Sequence, residues 1–319
     1  MKDVFVVDID MEEIGKRGPI MDINLECIYC TIKKADSLFS KYENDENEKL
    51  KFMKEVFKII SISEKGDTAP YLNTRIMRCL NRKLNLGDIY YEIKKEYNNL
   101  LISMQKEILR YIYSSQDKLL TALKYAMVGN FIDFGAMDQV NIEKLKKLII
   151  GAKEQVIDVK EYQGFLQGLK DAKQIAYIVD NAGEIVFDKI FIKVINEIYP
   201  DMIVNVIVRG KPVLNDATIV DAKEVGLCEI ANVVGNGTDI PGTQLDKINS
   251  KSKEIIDNAD LIIAKGQGNF ETLFGCGKNI YYIFLCKCDL FTKRFNIEKF
   301  KGIFVNERNV KDMIGCNHN

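Results

Sequence analysis

The chain has 319 residues, a formal net charge of -1, eight cysteines and one histidine. This length is enough for one large domain or two smaller ones with buried cores. A charge so close to zero gives no whole-chain attraction to nucleic acid or anionic lipid, so neither is expected as a partner. No apolar run approaches the ~20 residues of a transmembrane helix. Eight cysteines without a recognisable signal peptide indicate reduced thiols and a cytoplasmic protein.

Residues 1–24 are predicted to form an N-terminal extension. They contain Val4–Asp10, an apolar run that ends in Asp-x-Asp and is similar to the nucleophile motif of haloacid-dehalogenase-type phosphatases. Met11 follows the second aspartate, and no convincing later acidic motif completes that family's set. The extension is therefore the favoured interpretation. Because the one histidine, His318, is next to last in the chain, histidine-based acid–base catalysis is not expected.

Residues 25–170 are predicted to form a helical subdomain. Apolar residues recur at spacings of three and four, with long charged residues between them, over Thr31–Ser61, Tyr90–Ser114, Gln116–Gly129 and Ile142–Gly151. This periodicity is typical of amphipathic helices with one buried face.

Residues 171–319 show a different pattern, in which short β-branched runs alternate with segments long enough for a helix. The predicted strands are Ile175–Val179, Met202–Val208, Ile230–Val234, Leu261–Ala264, Ile280–Leu285 and Gly302–Val305. Such alternation indicates βαβ units and a mainly parallel sheet. The runs are almost continuously apolar, as expected when helices cover both faces. The predicted class is α/β, with an α/β/α sheet domain.

Polar and glycine-rich residues follow three of these strands, at Asp180–Glu184, Val208–Asp216 and Ala264–Glu271. In an open α/β sheet, ligands bind beyond the carboxyl ends of the strands. The three segments offer carboxylates and amides for a hard divalent cation, basic side chains for anionic oxygens, and glycines that let backbone amides approach a phosphate. Each segment alone could be a turn or a helix cap. Their coincidence predicts a phosphoryl-transfer site.

In this order, the three motifs resemble those of the damage-control phosphatases, long catalogued as domain of unknown function 89 and related to an acidic-residue methyltransferase-like domain. The resemblance runs from about residue 25 to the C-terminus and includes Cys27–Cys30 and Gly129–Gly135, which are typical of the prokaryotic branch. It implies a helical N-terminal subdomain packed on a Rossmann-like domain. It also implies hydrolysis of small phosphorylated metabolites, such as sugar phosphates or damaged phospho-cofactors, with Mn, Co, Ni or Mg.

The resemblance also implies roles for individual residues. The metal ligands fall on Asp180, Asn181 and Asp216, and the catalytic set on Asp180, Glu184 and Lys265. Contacts to substrate or phosphate fall on Asn130, Asp133, Arg209, Lys265, Gly266 and Asn269. The nucleophile is either a metal-activated water or one of the aspartates, and the sequence leaves both open.

Three cysteines form a candidate thiol site. Cys27 and Cys30 make a CxxC motif predicted to lie before a helix, and the prokaryotic branch resembles this chain in carrying a cysteine at Cys288. These thiols fit a metal or redox event, although zinc needs more than the two ligands of one CxxC. The alternative is that they pack as small apolar residues.

Functions of other classes also compete. A non-catalytic nucleotide- or metal-binding protein, or a thiol-redox protein using the CxxC, is the alternative to hydrolysis. The glycine fingerprint of dinucleotide-binding folds is absent after the first predicted strand of the sheet. Methyl transfer is disfavoured because no convincing adenosylmethionine-binding loop is identified.

Overall fold

The protein is described here from a computed structural model that covers residues 21, 23–130, 149–286, 288–295, 298–299 and 301–310. The Val4–Asp10 motif, Asp133 and His318 lie outside the described residues, as does most of the helix predicted over Ile142–Gly151. Within the described part of the chain, no helix is both long enough and apolar enough to cross a membrane.

The first half is helical, as predicted. Its described α-helices are α1 (Leu25–Tyr42), α2 (Glu46–Ser61), α3 (Ala69–Leu84), α4 (Tyr91–Ser114), α5 (Lys118–Gly129) and α6 (Val159–Asp171). The segment Thr31–Ser61 comprises parts of two helices, because Asp45 caps α2 by accepting hydrogen bonds from the backbone N–H groups of Asn47 and Glu48.

The second half alternates strands and helices. Its strands are β1 (Gln174–Ile178), β2 (Ile203–Val208), β3 (Asn232–Gly235), β4 (Leu261–Lys265), β5 (Ile280–Leu285) and β6 (Gly302–Asn306). Its described α-helices are α7 (Glu184–Ile198), α8 (Ile219–Glu224), α9 (Ser250–Asn258), α10 (Gln267–Leu273) and α11 (Asp289–Phe295). The strand order is β3-β2-β1-β4-β5-β6, with β6 antiparallel to β5 and the other pairs parallel.

Helices cover both faces of the sheet, so the predicted α/β/α architecture is confirmed. On one face, Ile175 and Tyr177 of β1 join a core shared with α4, α5, α6 and α7. On the other face, Ala176 and Ile178 join a core shared with α9, α10 and α11. Successive side chains of a strand point to opposite faces, which is why strands covered on both sides are apolar throughout.

The helical subdomain is divided between two cores. Helices α1, α2 and α3 form a core of their own, in which Phe39 and Phe52 stack with ring centroids 4.9 Å apart. Helices α4 and α5 instead belong to the core of the sheet. The predicted boundary at residue 170 therefore marks where the strands begin. It does not separate two independent cores, because α4 and α5 share the core of the sheet.

A buried asparagine fastens α4 to the turn that follows β1. Asn98 is fully buried, and its Nδ2 donates to Asp221 Oδ1 at 3.0 Å. Its Oδ1 accepts a hydrogen bond of 2.6 Å from the backbone N–H of Gly183. Since the turn at Gly183 carries Asp180 and Asn181, two of the three predicted metal ligands, the helical part of the chain helps to fix their position.

Candidate active site

The site lies where the strand order reverses, between β1 and β4. Two backbone hydrogen bonds of 2.8 Å, from Ala182 N to Asn215 O and from Ala217 N to Asp180 O, join the segments that follow β1 and β2. Asn181 and Asp216 form an isolated antiparallel bridge at this point. The sheet therefore brings the three predicted metal ligands together at its carboxyl edge, the usual ligand-binding place in such folds.

Two side-chain amides connect the carboxylates of Asp180 and Glu184. Asn130 Nδ2 lies 3.0 Å from both Asp180 Oδ2 and Glu184 Oε2. Asn181 Nδ2 lies 2.8 Å from Asp180 Oδ2 and 3.2 Å from Glu184 Oε2. Asn130 is itself held, because its Oδ1 accepts a hydrogen bond of 3.0 Å from the backbone N–H of Leu285. Each of these two carboxylates thus has one oxygen in a fixed orientation.

Arg209 contacts the carboxylates of Asp216 and Asp180. The side chain is fully buried, with Nε 2.6 Å from Asp216 Oδ2 and Nη2 3.7 Å from Asp180 Oδ1. Nη1 donates to Asn269 Oδ1 at 3.2 Å, whereas Nη2 has no hydrogen-bond partner among the described residues. Burial raises the pKa of Asp216, although the neighbouring guanidinium opposes that rise. Arg209 is therefore a buried cation whose Nη2 group makes no hydrogen bond within the described part of the chain.

Lys265 contacts carboxylates rather than open space. Its fully buried Nζ lies 2.8 Å from Ala126 O, 2.6 Å from Glu184 Oε1 and 2.6 Å from Asp188 Oδ1. These three acceptors engage all three N–H donors of an ammonium group. Burial by itself lowers the pKa of Lys265, but the two carboxylates outweigh burial and raise it. Burial also raises the pKa of Asp188 to about 6, against the opposing effect of Lys265.

The charges at this edge do not balance. Three buried carboxylates, on Glu184, Asp188 and Asp216, and the partly buried carboxylate of Asp180 face two buried cations, on Arg209 and Lys265, which leaves a formal charge of -2. Uncompensated buried charge is costly. No group of three His, Cys, Asp or Glu side chains suited to a metal occurs among the described residues. The predicted ligand set contains two carboxylates and an amide, oxygen donors that fit a hard divalent cation.

Two further predicted residues shape the site through the backbone. Asn269 is fully buried, and its Nδ2 donates to Val179 O at 3.1 Å and to Lys265 O at 2.6 Å, so it braces the ends of β1 and β4. Gly266 packs directly on Asp180, because a Cβ atom on Gly266 would lie 2.0 Å from Asp180 Oδ2. The structure thus brings together every predicted catalytic, metal and phosphate residue except Asp133, which lies outside the described residues.

Asp188 and Tyr177 belong to the same site but were missed in the sequence, whereas Gly129 was noted only as the start of the Gly129–Gly135 motif. Tyr177 OH donates to Asp188 Oδ1 at 2.7 Å, and the backbone of Gly129 leaves room for Glu184. One signal for Asp188 was available. It follows Glu184 by four residues in a helix whose other residues are mostly apolar, so both carboxylates lie on one face of a buried helix.

The candidate thiol site differs from its prediction in position. Cys27 lies in the first turn of α1 rather than before it, because its backbone N–H donates to the capping Asn24 Oδ1 at 2.9 Å. Burial raises the pKa of the Cys27 thiol to about 11, and Glu271, Cys288 and Cys30 add to the rise. A thiol with this pKa is protonated at neutral pH and is a poor nucleophile. A metal or redox role for the three cysteines remains a prediction.

Glu271 lies near the Cys27 thiol, and the effect of burial on its carboxylate can be tested. Burial raises its pKa to about 7, partly offset by a 2.6 Å hydrogen bond from Gln267 Nε2. Because the folded state binds this proton more tightly than the unfolded state, the stabilising effect of the proton is lost as pH rises through about 7. Glu271→Gln should therefore exceed the wild type in Tm at pH 8.5, and the difference should shrink towards pH 5.

Thermal unfolding followed by circular dichroism at both pH values checks this prediction. Glu254→Gln, at an exposed position of α9, makes the same chemical change and should give no such pH-dependent difference. An equal effect of Glu271→Gln at both pH values would show that its carboxylate titrates normally.

The chain is similar to proteins of one family over most of its length. The family model of the damage-control phosphatase ARMT1-like domain matches residues 23–301. A damage-control phosphatase of Pyrococcus horikoshii is 29% identical over 294 residues, covering 91% of this chain and 99% of the relative. A damage-control phosphatase of Archaeoglobus fulgidus is 31% identical over 228 residues, covering 69% of this chain and 76% of the relative.

Another relative and a solved structure extend the likeness over most of the chain. An uncharacterized protein of Methanocaldococcus jannaschii is 33% identical over 280 residues, covering 85% of this chain and 91% of the relative. The crystal structure of a DUF89 family protein from Pyrococcus horikoshii superposes with a TM-score of 0.79 at 27% identity, covering 90% of this chain and 99% of that one. Sequence, fold and site geometry together show that the chain belongs to the damage-control phosphatase ARMT1-like family.

Proposed function

We propose that this protein is a cytoplasmic, divalent-metal-dependent phosphatase that hydrolyses small phosphorylated metabolites, such as sugar phosphates or damaged phospho-cofactors. The observation that carries the proposal is the formal charge of -2 that four carboxylates and two cations leave near the carboxyl ends of β1, β2 and β4. One divalent cation balances that charge. The phosphatase names of two relatives support the reaction class.

Asp180, Asn181 and Asp216 are the residues that would hold the metal, with Mg, Mn, Co and Ni as candidates. When bound, a divalent ion supplies Lewis-acid charge for the phosphoryl oxygens and lowers the pKa of a coordinated water. The side chain of Asp180 is 13% exposed and that of Asp216 is 4% exposed. If an aspartate is the nucleophile, Asp180 is therefore the more accessible one.

The remaining residues bind the phosphate, neutralise its charge and orient the attacking water. Arg209 offers the phosphate a guanidinium donor that has no hydrogen-bond partner among the described residues. Glu184 is the candidate to take a proton from an attacking water, and its orientation is fixed because Lys265 Nζ lies 2.6 Å from Oε1 while the amides of Asn130 and Asn181 lie beside Oε2. General base catalysis needs a carboxylate in such a fixed position.

The test is a panel of phosphomonoesters assayed after chelation, with Mg, Mn, Co and Ni added back separately. We expect phosphate release only with metal, and calorimetry should show one metal bound per chain. Unchanged hydrolysis in EDTA would contradict metal dependence. If no substrate is hydrolysed and nucleotides bind, the non-catalytic alternative is favoured.

A further inference from the structure

A chain of buried polar groups lies behind Glu184. Tyr177 OH donates to Asp188 Oδ1 at 2.7 Å, and the same oxygen lies 2.6 Å from Lys265 Nζ. Lys265 Nζ in turn lies 2.6 Å from Glu184 Oε1. All four residues are fully buried. The chain thus leads from the centre of β1, through α7 and the end of β4, to the candidate base.

We propose that Asp188, supported by Tyr177, is a positioning residue that fixes the Lys265 ammonium and, through it, the Glu184 carboxylate. This inference rests on the proposed function, because it assigns Asp188 a role in orienting a group of the proposed reaction. Within the described residues, Asp188 hydrogen-bonds to Lys265 and Tyr177 and to none of the predicted metal ligands. Its effect on turnover therefore passes through Lys265.

The geometry of Lys265 explains why Asp188 is needed. A lysine side chain has four rotatable bonds and a freely turning ammonium, so it is fixed only when its donors have acceptors. Here the acceptors are Ala126 O on α5 and the Glu184 and Asp188 carboxylates on α7. Removing Asp188 leaves one buried N–H without an acceptor. The ammonium can then turn and carry Glu184 with it.

Packing alone does not account for Asp188. Asp188 and Glu184 are like charges four residues apart on one helix, an arrangement that destabilises helices. Asp188 Oδ2 is buried without a hydrogen-bond partner among the described residues, which adds a further cost. Replacing a whole buried ion pair by apolar residues is often neutral or stabilising, so packing does not require the Lys265–Asp188 pair. The orientation that Asp188 gives to Lys265 accounts for a carboxylate at this position.

The test compares Asp188→Ala, Asp188→Asn and Tyr177→Phe, each saturated with metal. We expect Asp188→Ala to lower kcat at saturating metal by about 10- to 100-fold, the range seen for residues that orient metal-site groups, with KM within about threefold of wild type. Asp188→Asn keeps an oxygen for Lys265 and Tyr177 and should recover most of kcat. Tyr177→Phe should lower kcat by less than Asp188→Ala, since Lys265 keeps its acceptor.

Tyr282→Phe is the matched control. Tyr282 lies in the same sheet on β5, is fully buried, and donates its OH to Glu307 Oε2 at 2.7 Å on the other face. It should lose stability as Tyr177→Phe does but keep its kcat. A wild-type kcat in folded Asp188→Ala, or a loss that comes only from weaker metal binding, would overturn the inference.

A crystal structure of Asp188→Ala decides the matter independently of activity. We expect the Lys265 ammonium and the Glu184 carboxylate to be displaced relative to the wild-type crystal structure. An unmoved Glu184 would refute the inference even if the wild type hydrolyses phosphomonoesters. A wild-type protein without hydrolysis would instead refute the proposed function. If Asp188→Ala does not fold, Tyr177→Phe carries the test: a lower kcat with a displaced Lys265 ammonium supports the inference, and a wild-type kcat with both Lys265 and Glu184 unmoved refutes it.

Discussion

Replacing Asp180 or Asp216 by asparagine is expected to lower kcat/KM by at least about 1,000-fold, which corresponds to about 4 kcal/mol in the transition state. Each change removes one negative charge from the candidate metal site, where the formal charge is -2. The electrostatic demand for a divalent cation falls accordingly. Metal affinity should fall with activity, because the same oxygen atoms serve both.

Asparagine is the better replacement at Asp216 because of Arg209. The guanidinium Nε lies 2.6 Å from Asp216 Oδ2 and is fully buried. Asp216→Ala would leave this cation without its main partner, a change that costs about 3–5 kcal/mol when a buried ion pair is broken. Loss of activity in that variant would then reflect unfolding. An asparagine oxygen still accepts from Nε, so the protein should stay folded.

Metal binding by calorimetry, kcat/KM and thermal unfolding should be measured on the same preparations. Asp257→Asn serves as the control, because Asp257 lies on α9 and pairs with Lys253 and Lys278 at the surface. It should retain both metal binding and activity. Metal-dependent hydrolysis at the wild-type rate in Asp180→Asn or Asp216→Asn would show that the ligand set is wrong.

Much of the fold could be predicted because its signals are local. Each β-branched run in the second half marks a strand to within one or two residues, and continuous apolarity predicts burial on both faces. The antiparallel direction of β6 could not be predicted, since direction depends on where the chain returns rather than on composition. The core that α4 and α5 share with the sheet also could not be predicted from the sequence. An amphipathic pattern shows that a helix has a buried face but not which element covers it.

The site was predictable where its residues directly follow strands. Asp180, Asn181 and Gly266 lie within three residues of a strand end, and the loop after β2 brings Asp216 back beside Asn181. Asp188 was missed because it lies inside a helix, and its proximity to Lys265 depends on how α7 packs over β4. Contacts of that kind depend on tertiary packing, and no sequence pattern predicts which helix residue meets which strand residue.

Lys265 illustrates the difference between identifying a residue and knowing its contacts. The sequence predicted that its ammonium faces a bound anion, whereas the structure gives all three donors to protein acceptors. Arg209 is the cation that retains a donor without a hydrogen-bond partner among the described residues. Basic residues near a phosphate site look alike in a sequence. The number of protein acceptors around each basic side chain distinguishes a residue that contacts a ligand from one that holds other residues in place.

Gly266→Ala is expected to abolish activity. Gly266 has φ of +82° and ψ of 155°, a conformation essentially restricted to glycine. An alanine Cβ would lie 2.0 Å from Asp180 Oδ2, well inside van der Waals contact. Asp180 has little freedom to move away, because Asn130 and Asn181 donate hydrogen bonds to the same oxygen. The substitution must therefore displace either the carboxylate or the end of β4.

Gly277→Ala separates this clash from the backbone effect. Gly277 has a similar φ of +74°, but a Cβ atom there would meet nothing within 4 Å. Both variants place an alanine at a positive φ, which costs about 1–3 kcal/mol and should appear as a lower Tm. Only Gly266→Ala should also lose metal affinity and kcat/KM. Since the two changes are chemically identical, equal retention of activity would mean that the Asp180 carboxylate does not depend on its contact with Gly266.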